Sequence, residues 1–186
     1  MKKKIIAMLI GMMLCVFSLS AQDGTARLGV ILRNFSPRTH FTTGAIPRAD
    51  LDLIIQTGVN TGSAGNRQPW FFTVVQDLSL AQKIVSQAVE GNIIIVVSTE
   101  GTTSREIIDC ALATQSMYLA AQALGYGSQI YIAPIERLNN ELKGELGLPA
   151  SRNAVLAVRI GRLAPGIDAV SSASPRKAAS EVVTWK

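Results

Sequence analysis

The stretch "TGSAGNRQPWFF", residues 61–72, crowds turn formers, amides and a Pro-Trp pair immediately before an apolar run. Gly62, Ser63, Gly65 and Asn66 accept backbone angles that most residues avoid, so the stretch reads as a loop. The run that follows, "FFTVVQD", reads as a buried strand. In front of it, "PRADLDLIIQTGVN" places Leu51, Ile54, Ile55 and Val59 at helical spacing behind Pro47, a short amphipathic helix ending near Gly62.

Working outward, "LSLAQKIVSQAVEG" predicts a helix stopped by Gly91, and "NIIIVVST" a second strand buried on both faces. Residues 104–125 predict the longest helix, apolar nearly all round and therefore a central packed element. "SQIYIA" reads as a strand, "IERLNNELKGELG" as a charged surface helix and "NAVLAVRIGRL" as a further strand. The tail ends in a strand-like "EVVTW", which a partner subunit could receive. Strands alternating with helices predict a layered α/β or α+β fold with helices on a central sheet.

The first 21 residues stand apart. Lys2, Lys3 and Lys4, the apolar "IIAMLIGMMLCVF" and the small-residue end "SLSA" form a Sec-type signal peptide cleaved after Ser20 or Ala21. The run is short for a membrane span and lacks a cationic stop-transfer flank, so the expectation is an exported, periplasmic or secreted protein with no stable membrane insertion. Residues 22–186 then form a single domain. Removing residues 1–21 takes away three lysines and no acids, lowering the formal charge from +5 to +2. A nearly balanced surface without a basic stripe argues against nucleic acid.

Processing leaves Cys110 as the one cysteine, set among apolar and small neighbours and read as core. One histidine, His40, and one cysteine cannot make a closed zinc site, so no metal is expected. His40 reads as a loop residue.

Asn66 and Gln68 each carry a donor and an acceptor, which suits a ligand edge alternating carbonyl and N–H, as the pyrimidine part of an isoalloxazine ring does. Pro69 and Trp70 would give that ligand a rigid apolar shoulder. The same residues also read as a plain helix-to-strand turn, with Asn66 capping backbone groups and Trp70 in the core.

"GSAGNRQPWFFTVV" resembles the Pro-Ser-x-x-Asn-x-Gln-Pro-Trp segment of the nitroreductase family of FMN-dependent oxidoreductases, with Gly62 where the family usually has proline. "FSPRTHFTTGAIPRADLDLIIQTG" is similar to the family's N-terminal segment and first helix, with Asn34 where arginine is usual. "DCALATQSMYLAAQALGYGSQIY" resembles its central helix and Gly-Leu-Gly-Ser segment, and "SPRKAASEVVTWK" its basic C-terminal signature.

The resemblance implies a three-layer α/β/α fold of α+β class with a central mixed sheet, and a homodimer exchanging C-terminal strands around two FMN molecules. It assigns Ser36, Arg38, Arg176 and Lys177 to the phosphate, and Ser63, Asn66 and Gln68 to the flavin, reaching it from the other subunit. The backbone at Gly127 and Ser128 is assigned to the reactive edge of the ring. The implied activity is ping-pong hydride and electron transfer from NAD(P)H or another donor to a nitroaromatic, quinone or similar acceptor. No catalytic side chain is assigned, because the flavin carries the chemistry. Export from the cytoplasmic nicotinamide pool motivates an alternative, an exported flavin-binding or scavenging protein without NAD(P)H turnover. The short connection at residues 78–91, where many members carry a longer insertion, predicts an open cleft.

Overall fold

A computed structural model describes residue 29, residues 40–101, residues 103–168 and residues 176–186. The signal-peptide reading, Ser36 and Arg38 lie outside the described residues.

In chain order the elements are β1 (Phe41–Thr42), α1 (Arg48–Val59), β2 (Phe71–Val75), α2 (Leu78–Ile84), β3 (Ile93–Thr99), α3 (Ser104–Ala123), β4 (Gly127–Tyr131), α4 (Ile135–Asn140), β5 (Asn153–Leu163) and α5 (Ala179–Val182). A single turn of 3₁₀ helix, Ala64–Asn66, lies in the loop between α1 and β2.

The 11-residue β5 organises a five-stranded sheet. It pairs with β3 (Ile95 opposite Val158), with β4 (Ile130 opposite Val158) and with β1 (Phe41 opposite Leu163), and β3 carries β2 (Val74 opposite Ile95). Each of these pairings is antiparallel.

All seven residues of β3 are buried, which requires cover on both faces. Alternate side chains point to opposite faces of a strand, so β3 feeds two cores. Ile93, Ile95 and Val97 pack with Leu51, Ile54 and Trp70 and with Cys110 and Met117 of α3. Ile94 and Val96 pack with Ala81, Ile84, Leu138 and Leu142 on the other side. Helices α1 and α3 therefore cover one face, α2 and α4 the other, which is the layered α+β architecture expected from the sequence. Gly58 lets α1 and α3 approach closely, because a Cβ there would come within 2.9 Å of Met117 Cγ.

Helix α3 begins with a capping box in which the Thr103 N–H donates to Glu106 Oε2 at 3.0 Å. Its apolar residues divide between two sides. Cys110, Ala113, Met117 and Ala121 are fully buried, whereas Ile107, Ile108 and Leu112 are exposed, Ile108 at 58%. Burial, with the nearby Asp109 and Glu106 charges, pushes the Cys110 thiol up to about 12, so it stays protonated and inert at neutral pH.

Four sequence expectations change. Helix α1 ends at Val59, short of Gly62. Helix α2 stops at Ile84, and residues 85–91 turn back to a Gly91 with φ of 83°. Helix α4 stops at Asn140, and Leu142, Leu146 and Leu148 are buried from turns punctuated by Gly144 and Gly147. The tail expected as strand begins as the four-residue α5, with the Ala178 N–H bonded to Glu181 Oε1, and residues 183–186 follow outside any helix or strand. Strand pairing needs a neighbour, and among the described residues none pairs with the tail there. Val182, Val183 and Trp185 are exposed, the last at 91%.

Candidate functional site

The loop that follows α1 is stiff although it is exposed. The Thr61 hydroxyl lies 2.8 Å from Ser116 Oγ of α3, and the Ala64 N–H sits 3.2 Å from both carboxylate oxygens of the buried Asp109. Inside the loop, the Gln68 N–H donates to Ser63 Oγ at 2.9 Å and the Asn66 N–H to Ser63 O at 3.0 Å. Gln68 Nε2 donates to Asn66 Oδ1 at 3.1 Å. Ser63, Asn66 and Gln68 are therefore brought together, with Asn66 and Gln68 exposed to solvent.

Three residues of this loop are left-handed: Gly65 at φ 65°, Asn66 at 54° and Gln68 at 48°. Glycine adopts that region freely and asparagine tolerates it, but glutamine pays about 1–2 kcal/mol for it. Strain held by surrounding bonds at an exposed polar loop points to a binding role. Trp70, expected as an apolar shoulder for a ligand, is instead buried in the core between sheet, α1 and α3. A large indole just ahead of a buried strand gains more from the core than from a ligand edge.

Beside the loop lies a cleft of about 490 Å³, lined by Arg67 from the loop and by Ser104, Arg105 and Ile108 from the start of α3. Glu106 at its edge has its carboxyl held below the usual range, first by the Thr103 hydroxyl and then by the Thr103 N–H. The connection at residues 78–91, expected to leave the cleft open, packs on the other sheet face through Ala81, Ile84, Val85 and Ala88 and does not bear on it.

Gly127 and Ser128 lie against the C-terminal half of α3. Gly127 opens β4 opposite Gly161, and the Ser128 hydroxyl, fully buried, donates to Tyr118 O at 2.9 Å. The tight turn belongs to Gly125, φ 81°, rather than to Gly127. Burial pushes the Tyr118 phenol up, countered by its bond with Gln122 and by the charge of Arg176. Arg176 therefore lies on the Tyr118 side, and it and Lys177 are exposed at the start of the described tail. The loop is held at Asp109 and Ser116 of α3 and Ser128 at Tyr118, so along the helix the two groups are offset by two to nine residues, about 3–14 Å at about 1.5 Å per residue.

Sequence reasoning missed Asp109, which anchors the loop from 45 residues away. Its only signal was an acid in an otherwise apolar helical stretch.

The family model for the nitroreductase family matches residues 31–96 and 90–162. A protein of Archaeoglobus fulgidus described as an NADH dehydrogenase/NAD(P)H nitroreductase is 31% identical over 124 residues, 60% of this chain and 71% of its own length. Among solved structures, a nitroreductase in complex with FMN from Desulfovibrio desulfuricans is similar with a TM-score of 0.72 at 24% identity, covering 86% of this chain and 96% of that one. A nitroreductase with bound FMN from Bacteroides fragilis gives 0.71 at 21% identity, covering 86% and 98%. The chain belongs to the nitroreductase family.

Proposed function

We propose that the protein is an FMN-dependent oxidoreductase working as a homodimer, with electrons passing from NAD(P)H or another donor to a nitroaromatic, quinone or similar acceptor. The observation that carries this reading is the pinned, left-handed loop offering the Asn66 and Gln68 amides to solvent. This donor and acceptor set matches the edge of a flavin ring. The neighbouring cleft gives a second substrate room. FMN-bound relatives of the same fold support the choice of flavin.

In this reading Ser63, Asn66 and Gln68 orient the ring. Arg176 and Lys177, with Ser36 and Arg38, bind the phosphate, and the backbone at Gly127 and Ser128 borders the ring's reactive edge. Bound FMN would supply a two-electron carrier between donor and acceptor. The chain's own work is to bind it, orient it and keep one face open.

Two features support the dimer. Ile107, Ile108 and Leu112 on α3, with Leu53 on α1, form an apolar face that the single chain leaves bare. A two-fold axis running α3 antiparallel to its copy would cover that face and set the loop of one subunit against Gly127 and Arg176 of the other. The exposed tail with Val182, Val183 and Trp185 would then lie on the partner.

Export through the signal in residues 1–21 belongs to the proposal. It also favours a second reading, an exported flavin binder without nicotinamide turnover. Purified mature protein is incubated with FMN, desalted and treated anaerobically with NADH or NADPH. Retained flavin that bleaches supports the oxidoreductase, retained flavin that stays yellow supports the binder, and no retained flavin contradicts both.

A further inference from the structure

We propose that the pocket between residues 84–87 and residues 131–137 binds a small carboxylate with an apolar body, gripped by Arg137 and held by the charge of Arg159 behind the wall. The flavin reading makes no use of this pocket, so the inference stands apart from it.

The pocket encloses about 390 Å³, within the range of small-ligand sites. It lies on the face of the sheet that α2 and α4 cover, opposite α3 and the loop tied to it. Ile84, Val85 and Pro134 give it apolar walls, and Gln87 and Tyr131 add polar groups. Among the described residues that line it, Arg137 carries the only charge.

Arg137 is exposed, and most of its donors are unused. Nη2 points to the Ile84 carbonyl at 3.4 Å, a long contact that keeps the guanidinium at the pocket wall. Among the described residues no carboxylate forms an ion pair with it, Glu141 one turn further on included, and the nearby Glu145 is taken by Lys83 at 2.6 Å. A guanidinium presents its N–H donors in a planar fork, which fits the two oxygens of a carboxylate.

Behind the wall, Arg159 is 1% exposed and likewise pairs with no described carboxylate. Nε donates to Asn92 Oδ1 and Nη2 to the Gln87 carbonyl, each at 2.7 Å. The Tyr131 hydroxyl lies beside it and favours its charged form. Two of the residues around Arg159 therefore also line the pocket. Hydrogen bonds lower the cost of burying a cation but leave its net charge in place, and salt screens a buried charge far less than an exposed one. An anion seated against Gln87 and Tyr131 gains from that charge, and a neutral ligand of the same shape does not. A hydroxyl whose oxygen faces a guanidinium keeps its proton for an acceptor, so Tyr131 adds a donor to the fork of Arg137. An apolar body against the walls excludes water from the pair and strengthens it.

Hexanoate is the probe and hexanol its neutral counterpart, titrated into the isotope-labelled mature chain and followed by amide chemical shifts. Hexanoate is expected to shift the amides of residues 84–87 and 131–137 and to bind about tenfold or more tighter than hexanol. Arg137→Gln, at an exposed position, should weaken hexanoate by about tenfold while leaving hexanol within about twofold, and Tyr131→Phe should weaken hexanoate several-fold. Saturating FMN is expected to leave these affinities unchanged. Equal binding of acid and alcohol overturns the proposal, as does an Arg137→Gln chain that binds hexanoate as the wild type does, or a shift pattern elsewhere in the chain. Hexanoate displaced by FMN would join the pocket to the flavin site and overturn a separate site, whereas a chain that retains no FMN would refute the flavin reading alone.

Discussion

The loop end and the charged end of the proposed site differ in build. A strained and exposed loop is tied to α3 through Asp109 and Ser116 and turns amides outward. At the charged end, Gly127 and Ser128 are buried and the cations sit on an exposed tail. In the proposed reading the first contacts a planar polar edge and the second holds charge, and the helix beside both also bears the exposed apolar face of Ile107, Ile108 and Leu112.

Putting a charge in that face tests the link between the ends. Ile108→Asp is expected to cost more than about 3 kcal/mol of self-association, to give a monomer on sizing, and to abolish FMN retention without unfolding the chain. A monomeric variant that keeps its flavin would place both halves in one subunit after all.

The second-largest effect belongs to the charged end. Replacing Arg176 and Lys177 together with alanine should weaken FMN by about 100-fold, with little change in the urea midpoint, because both residues are exposed. Riboflavin affinity is expected to hold. Unchanged FMN affinity would remove the phosphate assignment.

At the loop end the effects are smaller and mixed. Asp109→Ala should leave the Ala64 N–H without its acceptor and cost about 1–3 kcal/mol of stability, with a several-fold loss of FMN read in the same preparation. Gln68→Gly is expected to move the two readouts in opposite directions. Relief of the left-handed glutamine stabilises the chain by about 1 kcal/mol in urea unfolding, while loss of the amide weakens FMN. A destabilised Gln68→Gly variant would show that the loop is not strained.

The sheet and the long helix were legible because their signals are local. "NAVLAVRIGRL" matches β5 residue for residue and "NIIIVVST" begins one residue ahead of β3, since β-branched runs buried on both faces have few other solutions. The helices at residues 78–91 and 135–147 were read too long for a related reason. Val85, Ala88, Leu142 and Leu146 keep helical spacing and are buried, but from turns that glycines interrupt. The loop residues Ser63, Asn66 and Gln68 came from motif and side-chain chemistry. Asp109 did not, because it acts across 45 residues and carries no local pattern. The tail was read as strand from "EVVTW", a segment whose backbone needs a partner before its β propensity can be expressed.

The most direct test of a site shared between subunits is complementation. The Gln68→Gly chain and the chain with Arg176 and Lys177 replaced by alanine are co-expressed with different tags, and the mixed dimer is isolated and its flavin counted. If the loop of one subunit serves the tail of the other, the mixed dimer has one site with both defects and one with neither, and it retains one tightly bound FMN. A mixed dimer with no site of wild-type FMN affinity would mean that both halves act within a single chain, contradicting the account.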